Sequence, residues 1–169
     1  MRTAGLWLAV AAALLASCSS TPGQASQSWN HYHSEKWRYS IEYPPGWFEL
    51  PNYGAPDTEK YFGNEKDIGS PISIDARAVL LSLSTLTAGC RVTPTGNIDG
   101  TAHLKVNGQT VTRVTGFLGG SQSEAYWSAQ ASIPKGTYCF GFAFVFGDKS
   151  TRDSNLPITD KVITSFTTS

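Results

Sequence analysis

Hydrophobic and polar positions alternate most plainly from Thr137 to Phe146. Tyr138, Phe140, Phe142, Phe144 and Phe146 fall on one phase, and Cys139, Gly141, Ala143 and Val145 on the other. Successive side chains of a strand point to opposite faces, so this stretch predicts a strand with one aromatic and one small apolar face. Neither face suits water, and a strand apolar on both sides lies centrally in a sheet covered on each face. The expectation is a single layered α+β domain with this strand near its middle, its aromatic row serving as core and not as an exposed stacking platform. Glu124 to Ile133 places Ala125, Trp127, Ala129, Ala131 and Ile133 against polar neighbours, and Pro134-Lys135-Gly136 turns it into the aromatic strand. The two strands are expected to pair.

The same reading extends along the chain. Arg38 to Tyr43 sets Tyr39, Ile41 and Tyr43 against Arg38, Ser40 and Glu42, a half-buried strand ended by Pro44-Pro45-Gly46, with Trp47 and Phe48 folding back as anchors. Pro71 to Leu80 reads as another strand. For Leu81 to Gly89 we favour a short helix, with Ser84 as a possible cap, over a turn or strand. Ala102 to Val106 and Gln109 to Val114 flank Asn107-Gly108, the residues a two-residue type I′ turn requires, which predicts a hairpin with Leu104 facing Val111. Gly147 to Asn155 reads as a charged, loose connection. Leu156, Val162, Ile163 and Phe166 suit one face of a closing helix capped by Asn155 and docked on the small face at Gly141 and Ala143.

The amino terminus carries a different signal. Met1 and Arg2 precede an apolar run from Ala4 to Ala16, too short to span a bilayer, and Leu15-Ala16-Ser17-Cys18 follows. That tetrapeptide resembles the lipobox of bacterial lipoproteins, which implies cleavage after Ser17 and lipidation of Cys18; the competing reading is an ordinary cleaved signal or an uncleaved anchor. Residues 1–17 are then a signal peptide, 18–28 a Ser-, Thr-, Gln-, Gly- and Pro-containing tether, and 29–169 the globular domain. Ser19 and Ser20 bring no aspartate after the cysteine, which favours the outer membrane in a cell that has two. The chain has 3 cysteines. If Cys90 pairs with Cys139, Cys18 is the one left over, as lipidation would have it; two buried free thiols are the alternative. The closed loop would contribute about 4 kcal/mol by chain-entropy arithmetic.

Charge and chemistry narrow the function. With 13 basic and 13 acidic side chains, the balance gives no footprint for nucleic acid. His31 and His33 would need further ligands for a metal site and read as exposed residues at the start of the domain. His103 lies on the polar phase of its hairpin, and carboxylates such as Glu42, Asp57, Glu59 and Asp75 are scattered. No nucleophile elbow or phosphate-binding glycine motif is present. No cofactor or metal is called for. A hydrolytic enzyme using His103 or a carboxylate pair formed in space is the alternative to a binding protein. The Leu50 to Ser70 segment, rich in Gly and Pro, reads as a long loop whose Tyr53, Tyr61 and Phe62 either pin it to the core or contact a ligand. With Asn107 at the hairpin tip, they form the candidate binding surface.

Tyr39-Ser40-Ile41-Glu42-Tyr43-Pro44-Pro45-Gly46-Trp47 is similar to the opening strand and turn of the PsbP-like family, and Asp160 to Phe166 looks like its closing helix with a terminal Ser-Phe. Actinobacterial lipoproteins of the LpqN type look similar in layout. The resemblance implies an antiparallel sheet covered by helices on both faces, an αβα sandwich. It further implies an accessory or binding role without catalysis, here toward an envelope protein or small ligand beyond the membrane. The lipobox and cysteine pair depart from photosynthetic members, so a photosystem role is not carried over.

Overall fold

The computed structural model describes residues 28–51, 57–66, 79–86, 90, 97–118 and 126–169. Along them run β1 (Asn30–Ser34), β2 (Tyr39–Tyr43), β3 (Phe48–Glu49), β4 (Glu59–Gly63), β5 (Val79–Leu86), β6 (Asn97–Val106), β7 (Gln109–Leu118), β8 (Tyr126–Lys135), β9 (Tyr138–Phe146), α1 (Lys149–Thr164) and β10 (Thr167–Thr168). Seven strands make one antiparallel sheet in the order β3-β4-β5-β9-β8-β7-β6, and β1-β2-β10 make a small second sheet.

The aromatic strand β9 is the middle strand of the large sheet, and its neighbours run in phase with it. Phe140, Phe142 and Phe144 face Thr85, Leu83 and Leu81 on β5, and Ile133, Ala131 and Ala129 on β8. The three alternations therefore merge into one apolar face. Its cover comes from Tyr39 and Ile41 of β2, Val162 and Ile163 of α1, and Phe166, all buried. The Phe166 ring centroid lies 4.9 Å from Phe140, 5.7 Å from Phe142 and 5.8 Å from Tyr39. Each such pair contributes about 0.5–1.5 kcal/mol beyond area burial. Ser165 fastens the seam, its Oγ accepting the Glu42 N–H at 2.8 Å and donating to the Val162 carbonyl at 2.7 Å.

Five expectations are corrected. The sheet is not an αβα sandwich: among the described residues there is one helix, and the second covering element is the small sheet. Nor is β9 buried on both faces, since Gly141, Ala143 and Val145 are half-buried. These residues present little area, so α1 docks on the aromatic row, where Val162, Ile163 and Phe166 bury far more apolar surface. The favoured helix after Leu80 is instead the body of β5, whose Leu81, Leu83 and Thr85 are buried and alternate with half-buried Ser82 and Ser84. Finally, α1 begins at Lys149 and not beside Asn155. The Asp148 carboxylate accepts the Thr151 N–H at 2.7 Å, a cap the sequence reading passed over, and Asn155 instead donates to the Thr151 carbonyl at 2.8 Å. Pro157 sits inside this helix.

The hairpin is as expected, with Leu104 opposite Val111 and positive φ at Asn107 and Gly108. The pairing also runs further than expected, through a bulge between Ile98 and Gly100. Gly116 is required beside it, because a Cβ there would lie 2.3 Å from the Asn97 carbonyl oxygen. Next to the bulge, Asp99 meets Arg152 of α1, whose buried guanidinium grips both Asp99 oxygens at 2.8 Å, bonds Asp153 at 2.8 Å and lies 4.9 Å from the Trp127 ring centre. Arg113 of β7 likewise holds Asp160 at 2.6 Å. Two buried arginines thus lock the helix to the β6–β8 half of the sheet. Cys139 and Cys90 are bonded, with 5.0 Å between their Cα atoms.

Burial pushes the Asp99 carboxyl up, but hydrogen bonds from Arg152 and Thr115 outweigh it and hold the group below its usual range. The resulting stability is complete above the unfolded carboxylate pKa of about 3.9 and is lost as pH falls through the lower folded value. Asp99→Asn should therefore cost about 1–3 kcal/mol in urea unfolding at pH 7. At pH 3 the gap between variant and parent should narrow.

Candidate functional site

The chain turns at one end of the large sheet bring together residues far apart in sequence. The β8–β9 turn (135–138), the β6–β7 tip at Asn107 and Gly108, the β1–β2 turn (35–38), the start of β4 and the segment 168–169 all lie there. Three recesses join along this end. One of about 260 Å³ is lined by Tyr32, Trp37, Asp57, Glu59 and Lys60 among others. The next, of about 340 Å³, shares Trp37 and adds Arg38, Tyr138 and Phe140. The last, of about 390 Å³, shares Lys135, Gly136 and Thr168 with the second and reaches Asn107 and Gln109. Trp37 borders the first two and Lys135, Gly136 and Thr168 the last two, so the three together make the candidate groove.

Its middle is the pair Trp37 and Tyr138, with ring centroids 5.5 Å apart and planes at 71°. Trp37 is fixed by its indole N–H, which donates to the Asp57 carbonyl at 2.6 Å. Tyr138 opens β9 beyond the covering layer, so the last ring of the aromatic row is 43% exposed. Beside them Arg38 has φ 51°, a left-handed conformation, and closes the turn by donating its N–H to the Ser34 carbonyl at 2.7 Å. Lys135 donates to the Thr168 hydroxyl. At the other end of the groove the Glu49 carboxylate, 3.1 Å from Lys60 Nζ, holds that ammonium above its usual range.

The groove bears unevenly on the expected surface. Asn107 lines it, and of the Leu50 to Ser70 segment Asp57 to Lys60 border it. Phe62 does not: it is 0% exposed, packed between Tyr32 and Tyr43 as core. Tyr61, next to it on β4, points to the opposite face beside Leu50 and Leu80. Period-two alternation separates the two by necessity. Tyr53 lies outside the described residues. Trp37, Arg38, Lys135 and Tyr138 were missed as a group; only their turn positions hinted at exposure, and no local pattern reports which turns meet in space.

Of the groups a catalyst would need, His33, Glu35, Asp57 and Glu59 line the 260 Å³ recess, while His31 and His103 do not. His31 faces outward and contacts the Ile41 carbonyl, His33 contacts Ser40 Oγ at 2.8 Å and Glu35 at 3.7 Å, and His103 is exposed beside Thr112 Oγ1 at 3.3 Å. Burial pushes the Tyr39 phenol well above its usual range, so it stays protonated. Among the described residues no three His, Cys, Asp or Glu side chains gather to hold a metal ion. Also among them, no helix is long and apolar enough to cross a membrane.

The solution structure of cyanobacterial PsbP (CyanoP) from Synechocystis sp. PCC 6803 superposes with a TM-score of 0.56 at 15% identity, covering 90% of this chain and 99% of that one. The fold is PsbP-like. The Saccharomyces cerevisiae Ran-binding protein Mog1p is similar too, with a TM-score of 0.56 at 9% identity over 83% of this chain and 95% of its own. A Bacteroides thetaiotaomicron protein reaches 0.51 at 14% identity, covering 82% of this chain and 48% of that one. No family model matches the chain, and no curated protein matches its sequence.

The left-handed turn residue gives a direct check. An L-residue there costs about 1–2 kcal/mol, of which glycine's extra chain entropy returns about half. Arg38→Gly should leave the fold intact and raise the unfolding free energy by about 0.5–1 kcal/mol in urea.

Proposed function

We propose that the protein is a lipid-anchored lipoprotein of the bacterial cell envelope whose PsbP-like domain is a non-catalytic module that binds a protein partner through the groove. The observation that carries this reading is the meeting of Trp37, Arg38 and Tyr138 at one site, on turns held by the sheet. Tryptophan, tyrosine and arginine dominate binding energy at protein interfaces, and their rigid presentation lowers the entropy lost on docking. An open groove running along three recesses suits a stretch of polypeptide better than a small molecule, which needs a cavity enclosing most of its surface. The yeast neighbour's description as Ran-binding fits a fold that engages proteins.

The anchor reading rests on Leu15-Ala16-Ser17-Cys18. Cys18 to Ser28 extend to about 36–40 Å at most, and the chain enters β1 at Asn30, which pairs with Tyr43 at the end of that hairpin away from its Glu35–Arg38 turn. The anchor and the groove thus attach at opposite ends of β1. The outer membrane is the favoured site in a cell with two.

Two measurements test the reading. Cys18→Ala should move the protein from the membrane to the soluble fraction and abolish labelling by palmitate; an unchanged fraction refutes the anchor. A photo-crosslinker replacing Tyr138 in the full-length protein should give a discrete protein adduct in native envelopes, absent when the same group replaces exposed Thr112. Adducts at both positions, or at neither, contradict a binding groove.

A further inference from the structure

We propose that the recess at Arg38 and Lys135 docks an acidic segment of the partner, a carboxylate meeting the two cations while the adjacent apolar side chain lies on Tyr138 and Trp37. This rests on the protein-binding reading above and adds the chemistry of what is bound.

The local charge is the first observation. The residues lining the 340 Å³ recess include two cations, Arg38 and Lys135, and no aspartate or glutamate. The chain as a whole is balanced at net charge +0, so this imbalance is placed and not inherited from composition. Nearby lysines are neutralised within the molecule, Lys36 by Asp57 at 3.3 Å and Lys60 by Glu49 at 3.1 Å. Among the described residues neither Arg38 nor Lys135 forms an ion pair. Lys135 has a hydroxyl as its partner, which satisfies a donor without offsetting the charge. Ser169 also lines the recess, and no ion pair joins it to either cation.

The second observation is the backbone. Arg38 occupies a left-handed turn position where glycine is cheaper, so a long cation is kept at an energetic cost. The guanidinium can grip a carboxylate through two parallel N–H groups, which the ammonium of Lys135 supplements as a point charge. The third is the floor. Trp37 and Tyr138 give an aromatic surface immediately beside the cations, so a ligand pairing a carboxylate with an apolar group fits better than a free anion. An anionic membrane surface offers similar chemistry, but the aromatic rings of Trp37 and Tyr138 beside the cations match a carboxylate with a neighbouring apolar side chain, which favours the protein partner.

The experiment titrates the full-length lipidated protein in neutral detergent micelles with a blocked Ser-Glu-Phe-Glu-Leu-Ser peptide, and with the same peptide carrying glutamine for glutamate. The glutamate peptide should bind at least tenfold more tightly at low salt and weaken as salt rises. Arg38→Gly and Lys135→Gln should each reduce its affinity about 3- to 10-fold with the thermal unfolding midpoint unchanged or raised. Equal binding of the two peptides, binding of neither, or affinity unaffected by Arg38→Gly overturns the proposal. So does a preference for micelles containing phosphatidylglycerol that the same two variants abolish, which would assign the cations to a lipid surface. If Arg38→Gly leaves the Tyr138-position crosslink at full yield, the acidic-segment proposal falls while the protein-binding reading stands. Absence of any crosslink removes both.

Discussion

An unbroken aromatic face on β9 has to be kept from water, and the architecture follows from how that is done. Four phenylalanines from Phe140 to Phe146 are buried in a row, flanked by in-phase aliphatic side chains of β5 and β8. One helix is too narrow to cover a face this wide. The chain's first hairpin and its last residues supply the remainder, meeting at Phe166, which touches rings of both layers. Closure of the amino-terminal layer therefore depends on the carboxyl-terminal residues, and β10 pairing with β2 records the same dependence in backbone hydrogen bonds. The resemblance of residues 39–47 and 160–166 to PsbP-like openings and endings gains a physical sense here, since these two segments form a single seam.

Covering one face leaves a boundary, and the groove forms at it. Tyr138 continues the aromatic phase one step past Phe140, beyond the layer, and so becomes surface. Trp37 and Arg38 stand at the turn of the covering hairpin, while Lys135 ends the strand beside β9. Cys139, bonded to Cys90, fixes the same end of β9 from the other face. Site and core are thus one alternating pattern, read inside and outside the cover.

Period-two patterns were legible: the central place of β9, its pairing with β8, the Asn107-Gly108 hairpin and its register, and the half-buried β2. Elements whose identity depends on partners were not. Leu81 to Leu86 has apolar spacing compatible with either helix or strand, and only pairing with β4 and β9 decides it. Asp148 and Lys149 carry no apolar signal, so the start of α1 depends on a cap and on Arg152, whose carboxylate partner lies far upstream at Asp99. A buried arginine has no sequence signature apart from its partner. For the groove, the turn at Asn107 was legible because it is local, whereas Trp37, Arg38, Lys135 and Tyr138 meet only after two separate turns have been placed.

The account stands most directly on Phe166 as the joint between the two layers. Replacing it with alanine and following urea unfolding together with amide hydrogen exchange at Tyr39 and Ile41 isolates that role. The account predicts a loss of about 3–5 kcal/mol and fast exchange across β2 while the β8–β9 amides remain protected. A loss below about 1 kcal/mol, with β2 still protected, would contradict it.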